Sequence, residues 1–231
     1  MLIVGILALL AATPGVAGQN QIVAGEKAQD PDSKAVDAAI TAIRASQPDK
    51  AITLVEPVIA HLDKDIAAEK RLVFCGPNMT EALVYATLGQ SMKPKRDTLV
   101  LNDSGCMALW IKGFALNGQG KFAEAVAPLK RATELAPMHS QFFSELGFAY
   151  QQLKQPELSL AAYKSAETYA GFSEDEKFQR ARALRGEGFA YVDLGKWDEA
   201  EKAYQDSLKD DPDSKVAKNE LEFIKQNRPK D

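Results

Sequence analysis

The 231-residue sequence contains little of what most enzymes and nucleic-acid-binding proteins use. It has two histidines and two cysteines, it has no lysine- or arginine-rich block, and its formal net charge is −4. A phosphate backbone is bound chiefly by clustered basic side chains, so we do not expect nucleic acid as a partner. β-Branched residues are sparse after residue 60, whereas alanine, leucine, glutamate and lysine dominate, and this composition favours helix over sheet.

The sequence also lacks a recognisable catalytic or cofactor-binding motif. It contains no Gly-x-Ser-x-Gly, Gly-rich phosphate loop, His-Glu-x-x-His or Cys-x-x-Cys pattern. His61 and His139 lie far apart, and Asp63 is only two residues from His61, a spacing that places the two side chains on different sides of a helix. We therefore expect a protein that is not an enzyme and that needs no cofactor or metal.

Residues 1–18 carry no charged side chain and have the features of a signal peptide. Residues 2–12 are apolar, and Ala17 and Gly18 are small residues of the kind found at a cleavage site. Cleavage after either one would place the mature protein in the periplasm or outside the cell. An uncleaved inner-membrane anchor is the alternative, because the apolar stretch is at the short limit for spanning a bilayer. Residues 19–32 are polar and are expected to be a flexible lead-in.

The two cysteines, Cys75 and Cys106, have two interpretations. In an exported protein an even pair is readily oxidised, which favours a disulfide. Two small buried apolar side chains are the other interpretation. Without flanking histidines, the pair does not make a plausible zinc site.

Self-comparison reveals three similar segments in the second half of the chain. They span residues 109–137, 143–171 and 184–212, and each contains the tripeptide Gly-Phe-Ala. The tripeptide recurs after 34 and then after 41 residues. A fixed period of this length is typical of a repeat protein in which each unit packs on its neighbours.

These segments resemble the tetratricopeptide repeat, whose period is 34 residues. The third copy matches the pattern of that family at Leu184, Gly188, Tyr191, Ala200, Tyr204 and Pro212. The resemblance implies an all-α, right-handed solenoid of stacked antiparallel helix pairs, of an exported bacterial type. The three clear repeats are expected at residues 106–139, 140–173 and 181–214.

Glycine inside a helix costs about 1 kcal/mol relative to alanine, so its recurrence indicates a close approach of a second helix. We expect the glycine of each Gly-Phe-Ala motif to lie at such a crossing, opposite Ala125 or Ala200. The seven extra residues before the third copy include Ser173-Glu-Asp-Glu176, which has the form of a capping box. This predicts a lengthened helix over residues 173–194, which is either a docking element or a simple length variant.

The rest of the chain is expected to continue the same architecture. Residues 33–105 are interpreted as degenerate helical repeats, with one helix pair from about 33 to 69 and a further helix that begins after Asn78. The short apolar stretch 96–101 is interpreted as a stunted second helix, with a strand as the alternative. Residues 215–231 are expected to form a C-terminal capping helix and tail, because a solenoid needs a polar-backed helix at its end.

The resemblance places the ligand-binding surface on the concave face, formed by the first helix of each pair. In the tetratricopeptide family this face lines a groove that holds peptide segments. Packing is the alternative role for the phenylalanines there, and a solvated surface is the alternative for the arginines, whose guanidinium groups would otherwise favour a carboxylate. The residues expected to contact a ligand are Trp110, Phe114, Asn117, Phe148, Gln151, Arg182, Arg185 and Phe189.

The expected function is a non-catalytic scaffold that recognises a protein or peptide on the concave face in an exported compartment. An anchored structural subunit of a cell-envelope or secretion assembly is the alternative, which an uncleaved N-terminus would favour. Contact with a membrane is expected only through such an N-terminus.

Overall fold

The computed structural model describes residues 21–22 and 30–229. The expected signal peptide or anchor, residues 1–18, lies outside the described residues, and so does most of the lead-in, residues 19–32. The described part of the lead-in has defined structure. Gln21–Ile22 form a short strand, and the Asp30 carboxylate accepts a hydrogen bond from the Asp32 backbone N–H at the start of the first helix.

The described residues form ten α-helices and three short strands. In chain order they are β1 (Gln21–Ile22), α1 (Pro31–Arg44), α2 (Pro48–Ala68), β2 (Leu72–Cys75), α3 (Met79–Ser91), β3 (Thr98–Leu101), α4 (Ser104–Gly118), α5 (Phe122–Leu135), α6 (Ser140–Gln152), α7 (Pro156–Thr168), α8 (Glu176–Asp193), α9 (Trp197–Asp210) and α10 (Lys215–Asn227). None of these helices is both long and apolar enough to cross a membrane.

The helices stack in antiparallel pairs, which makes the molecule an all-α solenoid of the tetratricopeptide type. α1 pairs with α2, α4 with α5, α6 with α7, and α8 with α9, and α10 packs on α9 as the expected capping helix. The first helices of successive pairs also contact one another, from α1 to α4, α6 and α8. The outer helices α5, α7 and α9 make no comparable contacts with each other. The first helices therefore form the inner wall of the stack.

Each pair turns through one residue in the left-handed backbone region, where glycine is favoured. Gly120 (φ 73°) and Gly195 (φ 70°) occupy this position in the first and third clear repeats. Lys154 (φ 57°) occupies it in the middle repeat, and Ser46 (φ 57°) occupies it between α1 and α2. α1 and α2 are therefore joined by the same turn geometry as the three clear repeats.

The glycine of each Gly-Phe-Ala motif lies at a close crossing of the two helices of its pair. A Cβ atom on Gly188 would lie 2.6 Å from the Tyr204 ring, and one on Gly147 would lie 3.0 Å from Tyr163. Gly113 faces Leu129 in the same way. Leu129 and Tyr204, which meet these glycines, lie one helical turn after Ala125 and Ala200. Ala125 and Ala200 are the residues that were predicted to face the glycines. The large side chain reaches across the space that the missing Cβ leaves.

The N-terminal third departs from the predicted series of helical repeats. Residues 96–101 contain a strand, β3, and not a stunted helix, and β2 was not predicted at all. The two strands are parallel and flank α3, and β1 joins the other edge of β3 to give the order β1-β3-β2. Because α2 packs directly on α4, the segment from β2 to β3 is an insertion between two repeats. We call residues 69–103 the insert.

The insert shares its core with the repeats and is joined to them covalently. Phe74 and Val100 of the strands belong to the same buried cluster as Leu109 of α4. Cys75 and Cys106 form a disulfide that links the end of β2 to α4, with a sequence separation of 31. Of the two interpretations of the cysteines, the structure shows the bonded one.

The third clear repeat begins differently from the capping-box prediction. α8 starts at Glu176, and not at Ser173, and its N-cap residue Asp175 makes no side-chain capping bond. A 3-10 turn at residues 170–172 ends the second repeat before the extra residues. The helix is nevertheless lengthened, since α8 has 18 residues whereas α4 has 15 and α6 has 13.

Replacing Gly188 with alanine is expected to lower the free energy of unfolding by about 2 kcal/mol, because the added methyl group overpacks a fully buried tyrosine. Urea denaturation followed by circular dichroism measures this change. Gly118→Ala is the matched control, since no atom beyond its chain neighbours and its own helix backbone lies within 4 Å of its Cβ position, and it is expected to stabilise α4 by about 0.5 kcal/mol. Equal effects of the two changes would contradict the close crossing.

Removing the disulfide by the double change Cys75→Ala and Cys106→Ala is expected to lower the free energy of unfolding by about 3–4 kcal/mol, because the unfolded chain loses a constraint on a loop of this length. Dithiothreitol should lower the unfolding midpoint of the unmodified protein and leave that of the double variant unchanged. A midpoint that is insensitive to reductant in both proteins would show that the bond does not form.

Candidate functional site

The candidate site is the surface of the inner wall formed by α4, α6 and α8, which we call the concave face. All eight residues predicted to bind ligand lie on these three helices. Seven of them are partly exposed, whereas Asn117 retains only 6% of its accessible surface. The structure therefore brings the predicted residues to one wall of the stack but withdraws Asn117 from its surface.

The three phenylalanines of the concave face are each packed against a different ring and remain partly exposed. Phe114 lies 5.3 Å from the Trp110 ring, between centroids. Phe148 meets Phe122 edge-on at 5.9 Å, and Phe189 meets Tyr204 edge-on at 5.7 Å. Such pairs are an ordinary way to fix aromatic side chains. The rings are therefore held in place while one side of each stays accessible.

Several buried hydrogen-bonding groups on the helices of this wall have no partner among the described residues. They include the indole N–H of Trp110, the hydroxyl of Ser144 and the side-chain carbonyl of Asn117. The Trp110 ring is fixed between Phe114 and Phe142, with 6.4 Å between the centroids of Trp110 and Phe142. Buried polar groups in proteins are nearly always hydrogen-bonded, so an unpartnered group indicates a place where a ligand or water supplies the bond.

A buried carboxylate connects the three inner helices. Glu145 of α6, which is 3% exposed, accepts hydrogen bonds from Asn117 Nδ2 of α4 at 3.3 Å and from Arg182 Nη2 of α8 at 2.5 Å. Asn117 Nδ2 also donates to the Glu145 backbone carbonyl at 3.1 Å. This explains why Asn117 is buried: its amide binds the neighbouring helix and is not presented to a ligand.

The second arginine and the glutamine of the predicted site are also engaged within the protein. Arg185 Nη1 donates to Asp211 Oδ2 at 2.9 Å, and Gln151 Oε1 accepts from the Tyr163 hydroxyl at 3.2 Å. The prediction that Arg182 and Arg185 contact a ligand stays a prediction. Each one already faces a carboxylate of this chain, so their charges are largely compensated.

With this geometry established, the sequence was compared with known proteins. A family model described as tetratricopeptide repeat matches residues 181–214, which is the range predicted for the third clear repeat. The chain carries a tetratricopeptide repeat. A search of curated proteins finds no match.

Several solved structures resemble the solenoid. MamA (residues 41 to the end) from Desulfovibrio magneticus RS-1 is 17% identical, with a TM-score of 0.58, and the match covers 86% of this chain and 85% of that one. The second TPR domain of human RPAP3, in complex with HSP70 peptide SGPTIEEVD, is 22% identical over 52% of this chain and 98% of that one, with a TM-score of 0.47. The likeness to MamA shows that the tetratricopeptide-type fold extends over most of the chain.

Sequence reasoning missed two buried carboxylates that join neighbouring segments, Glu145 and Glu81. A charged residue that interrupts an apolar helix face was the only available signal for Glu145 and Glu81. It does not identify the partner, which lies in another repeat.

The described residues contain no group of three or more histidine, cysteine, aspartate or glutamate side chains that could hold a metal ion. One carboxyl group is nevertheless strongly perturbed. Burial in α8, together with the nearby carboxylate of Glu167, raises the pKa of Glu187 to about 7. Strongly shifted pKa values are common at functional sites, but burial within a repeat produces the same shift.

Glu187 should make the stability of the protein pH-dependent. The unfolded carboxyl group loses its proton near its ordinary pKa of 4.5, whereas the folded one keeps it to about pH 7. Between these values the folded state binds more protons, so the free energy of unfolding falls as the pH rises. Glu187→Gln is expected to abolish this decline and to stabilise the protein at pH 8 by roughly 3 kcal/mol.

Urea denaturation of both proteins at pH 5 and pH 8 measures the difference. Glu199→Gln is the control, because Glu199 is exposed on the neighbouring helix α9. A decline with pH that persists unchanged in Glu187→Gln would show that another group is responsible.

Proposed function

We propose that this protein is a non-catalytic scaffold that holds a peptide segment of a partner protein on its concave face. The observation that carries the proposal is the set of fixed, partly exposed rings on the inner helices, Phe114, Phe148 and Phe189, beside the unpartnered groups of Trp110 and Ser144. Rigid aromatic anchors next to a few polar groups are the usual composition of a peptide-binding surface.

The chemistry of the face favours apolar side chains of a peptide over its charged C-terminus. Apolar side chains can pack on the three rings, and a backbone carbonyl can accept a hydrogen bond from the Trp110 indole. Arg182 and Arg185 support this preference, because Glu145 and Asp211 already compensate their charges. A terminal carboxylate would have to compete with these two acidic side chains.

We further propose that the protein works in an exported compartment. Two features support this location, the uncharged apolar sequence of residues 1–18 and the disulfide between Cys75 and Cys106. Disulfides persist in oxidising compartments and are rare in the cytosol. N-terminal sequencing of the protein recovered from cells tests the location, and we expect the first residue to be Gly18 or Gln19.

Peptides selected from a phage-displayed library on the purified protein provide the binding test. Phe148→Ala is expected to weaken the binding of the selected peptides about 30-fold, because truncating a central aromatic anchor typically costs about 2 kcal/mol. Isothermal titration calorimetry measures the affinities, and circular dichroism checks that the variant is folded. Phe223→Ala is the control, since Phe223 is an exposed phenylalanine on α10, and it should leave the affinity unchanged.

The same peptides synthesised with a free carboxyl group and with an amidated C-terminus should bind with affinities within about threefold of each other, because the arginine charges are already compensated. A preference of about tenfold or more for the free carboxylate would show that the arginines do bind a peptide terminus. Equal binding of the selected peptides to the unmodified protein and to Phe148→Ala would reject the concave face as the site.

A further inference from the structure

A cavity of about 260 Å³ lies where the insert meets the repeats, between the start of α6 and the loop before α8. We call it the junction cavity. The residues of its wall that bear on ligand binding are Asn78, His139, Gln141, Glu174, Asp175 and Gln179. None of the aromatic anchors of the concave face lines this cavity, so a ligand bound here is independent of the proposed function.

The insert is fixed against the repeats at this cavity by a buried carboxylate. Glu81 of α3 is inaccessible to solvent, and it accepts hydrogen bonds from Tyr85 Oη at 2.6 Å and from Asn78 Nδ2 at 2.8 Å. It also lies 2.9 Å from Nδ1 of His139, and Tyr85 Oη in turn accepts from the Met138 backbone N–H at 2.9 Å. The wall of the cavity is therefore held by a connected network and is preorganised.

The described residues that line the cavity offer several hydrogen-bond acceptors and no cationic side chain. Nδ1 of His139 already contacts the Glu81 carboxylate, so this ring nitrogen is not available to a ligand. The Asn78 amide nitrogen already donates hydrogen bonds to the Glu81 carboxylate and, at 3.4 Å, to the Phe172 carbonyl. The carboxylates of Glu174 and Asp175 add negative charge, and the described residues of the lining include no lysine or arginine.

Gln179 provides an independent indication of a ligand. Its side chain lines the cavity and is 8% exposed, and its Oε1 atom has no hydrogen-bond partner among the described residues. A buried amide oxygen without a donor is costly, and a donor group placed in the cavity would supply the missing bond.

Large exposed apolar residues lie next in the chain to residues that line the cavity, or one helical turn further along. Met79 follows Asn78 in the chain and is 60% exposed, Leu83 lies one turn further along α3 at 56%, and Phe178 precedes Gln179 at 59%. Single exposed apolar residues are ordinary, but several large ones in the segments that form one cavity are typical of a protein-interaction site. A ligand that fits these features carries a cationic group, which can only donate hydrogen bonds, and has apolar groups on either side of it.

We propose that the junction cavity binds the cationic head group of an arginine or lysine side chain of a partner protein, with apolar neighbours of that residue resting on Met79, Leu83 and Phe178. A guanidinium or ammonium group has only donors, which matches the acceptor oxygens of Gln179, Glu174 and Asp175. A metal ion fits less well, because the described residues provide no metal-binding group of three or more such side chains.

The probe for this site is the peptide acetyl-Ala-Leu-Arg-Leu-Ala-amide, compared with the same peptide carrying lysine or citrulline at the central position. Citrulline keeps the shape of arginine but has no charge. The arginine or the lysine peptide is expected to bind at least about tenfold more tightly than the citrulline peptide, as measured by titration in two-dimensional NMR. The comparison between arginine and lysine identifies which head group is preferred.

The double change Glu174→Gln and Asp175→Asn is expected to weaken binding of the cationic peptide about tenfold, and Gln179→Leu about fivefold, because each removes acceptors from the cavity. Glu124→Gln with Glu134→Gln on α5 is the charge-matched control, since both residues are exposed there, and it should leave the affinity unchanged. Circular dichroism establishes that each variant is folded.

Equal affinity of the arginine and citrulline peptides would overturn the proposal, and so would the absence of detectable binding at concentrations up to about 10 mM. An equal loss in the control variant would overturn it too, since binding would then depend on the net charge of the protein. Loss of binding in Phe148→Ala, with none in the cavity variants, would reject the junction cavity and place the peptide on the concave face.

Discussion

The close crossing of the two helices within each pair is the constraint on which the architecture depends. A residue without a Cβ atom on the first helix lets a large side chain of the second helix pass across it, as Tyr204 does at Gly188. The helices then come near enough for their apolar faces to be buried against each other and against the next pair. The spacing between the two helices of each pair therefore sets the position of the inner wall and of every candidate site residue on it.

Buried carboxylates favour one arrangement of the stacked helices over other compact arrangements. Glu145 binds Asn117 of the preceding repeat and Arg182 of the next one, so that three inner helices are held in register by one carboxylate. Glu81 has the same role between the insert and His139 at the start of α6. A buried ion is costly unless every bond it can make is satisfied, and such groups therefore favour one packing arrangement over its alternatives. The two carboxylates thereby fix the surfaces beside them, the concave face and the junction cavity.

The helical repeats were predictable because they carry a periodic signal within each segment. The recurring Gly-Phe-Ala motif located the four helices from α4 to α7 and the pair α8–α9, and the expected helix that begins after Asn78 is α3. The insert was not predictable in the same way. Its strands are four residues long, too short to show an alternating pattern, and β3 is stabilised by pairing with β1 and β2 from distant parts of the chain. The starts of the helices were also uncertain, since α8 begins at Glu176 without the expected cap.

The sequence alone determined the fold class, the repeat register and the identity of the residues on the inner wall, because helical periodicity assigns side chains to faces without reference to the rest of the molecule. The tertiary structure decided which partners those side chains bind. Asn117, Arg182 and Arg185 were predicted to meet a ligand, but they bind acidic groups of neighbouring helices. The insert and the junction cavity likewise arise from contacts between segments far apart in the chain. Periodicity is a local property, whereas the pairing of charges and strands depends on which segments the fold brings together.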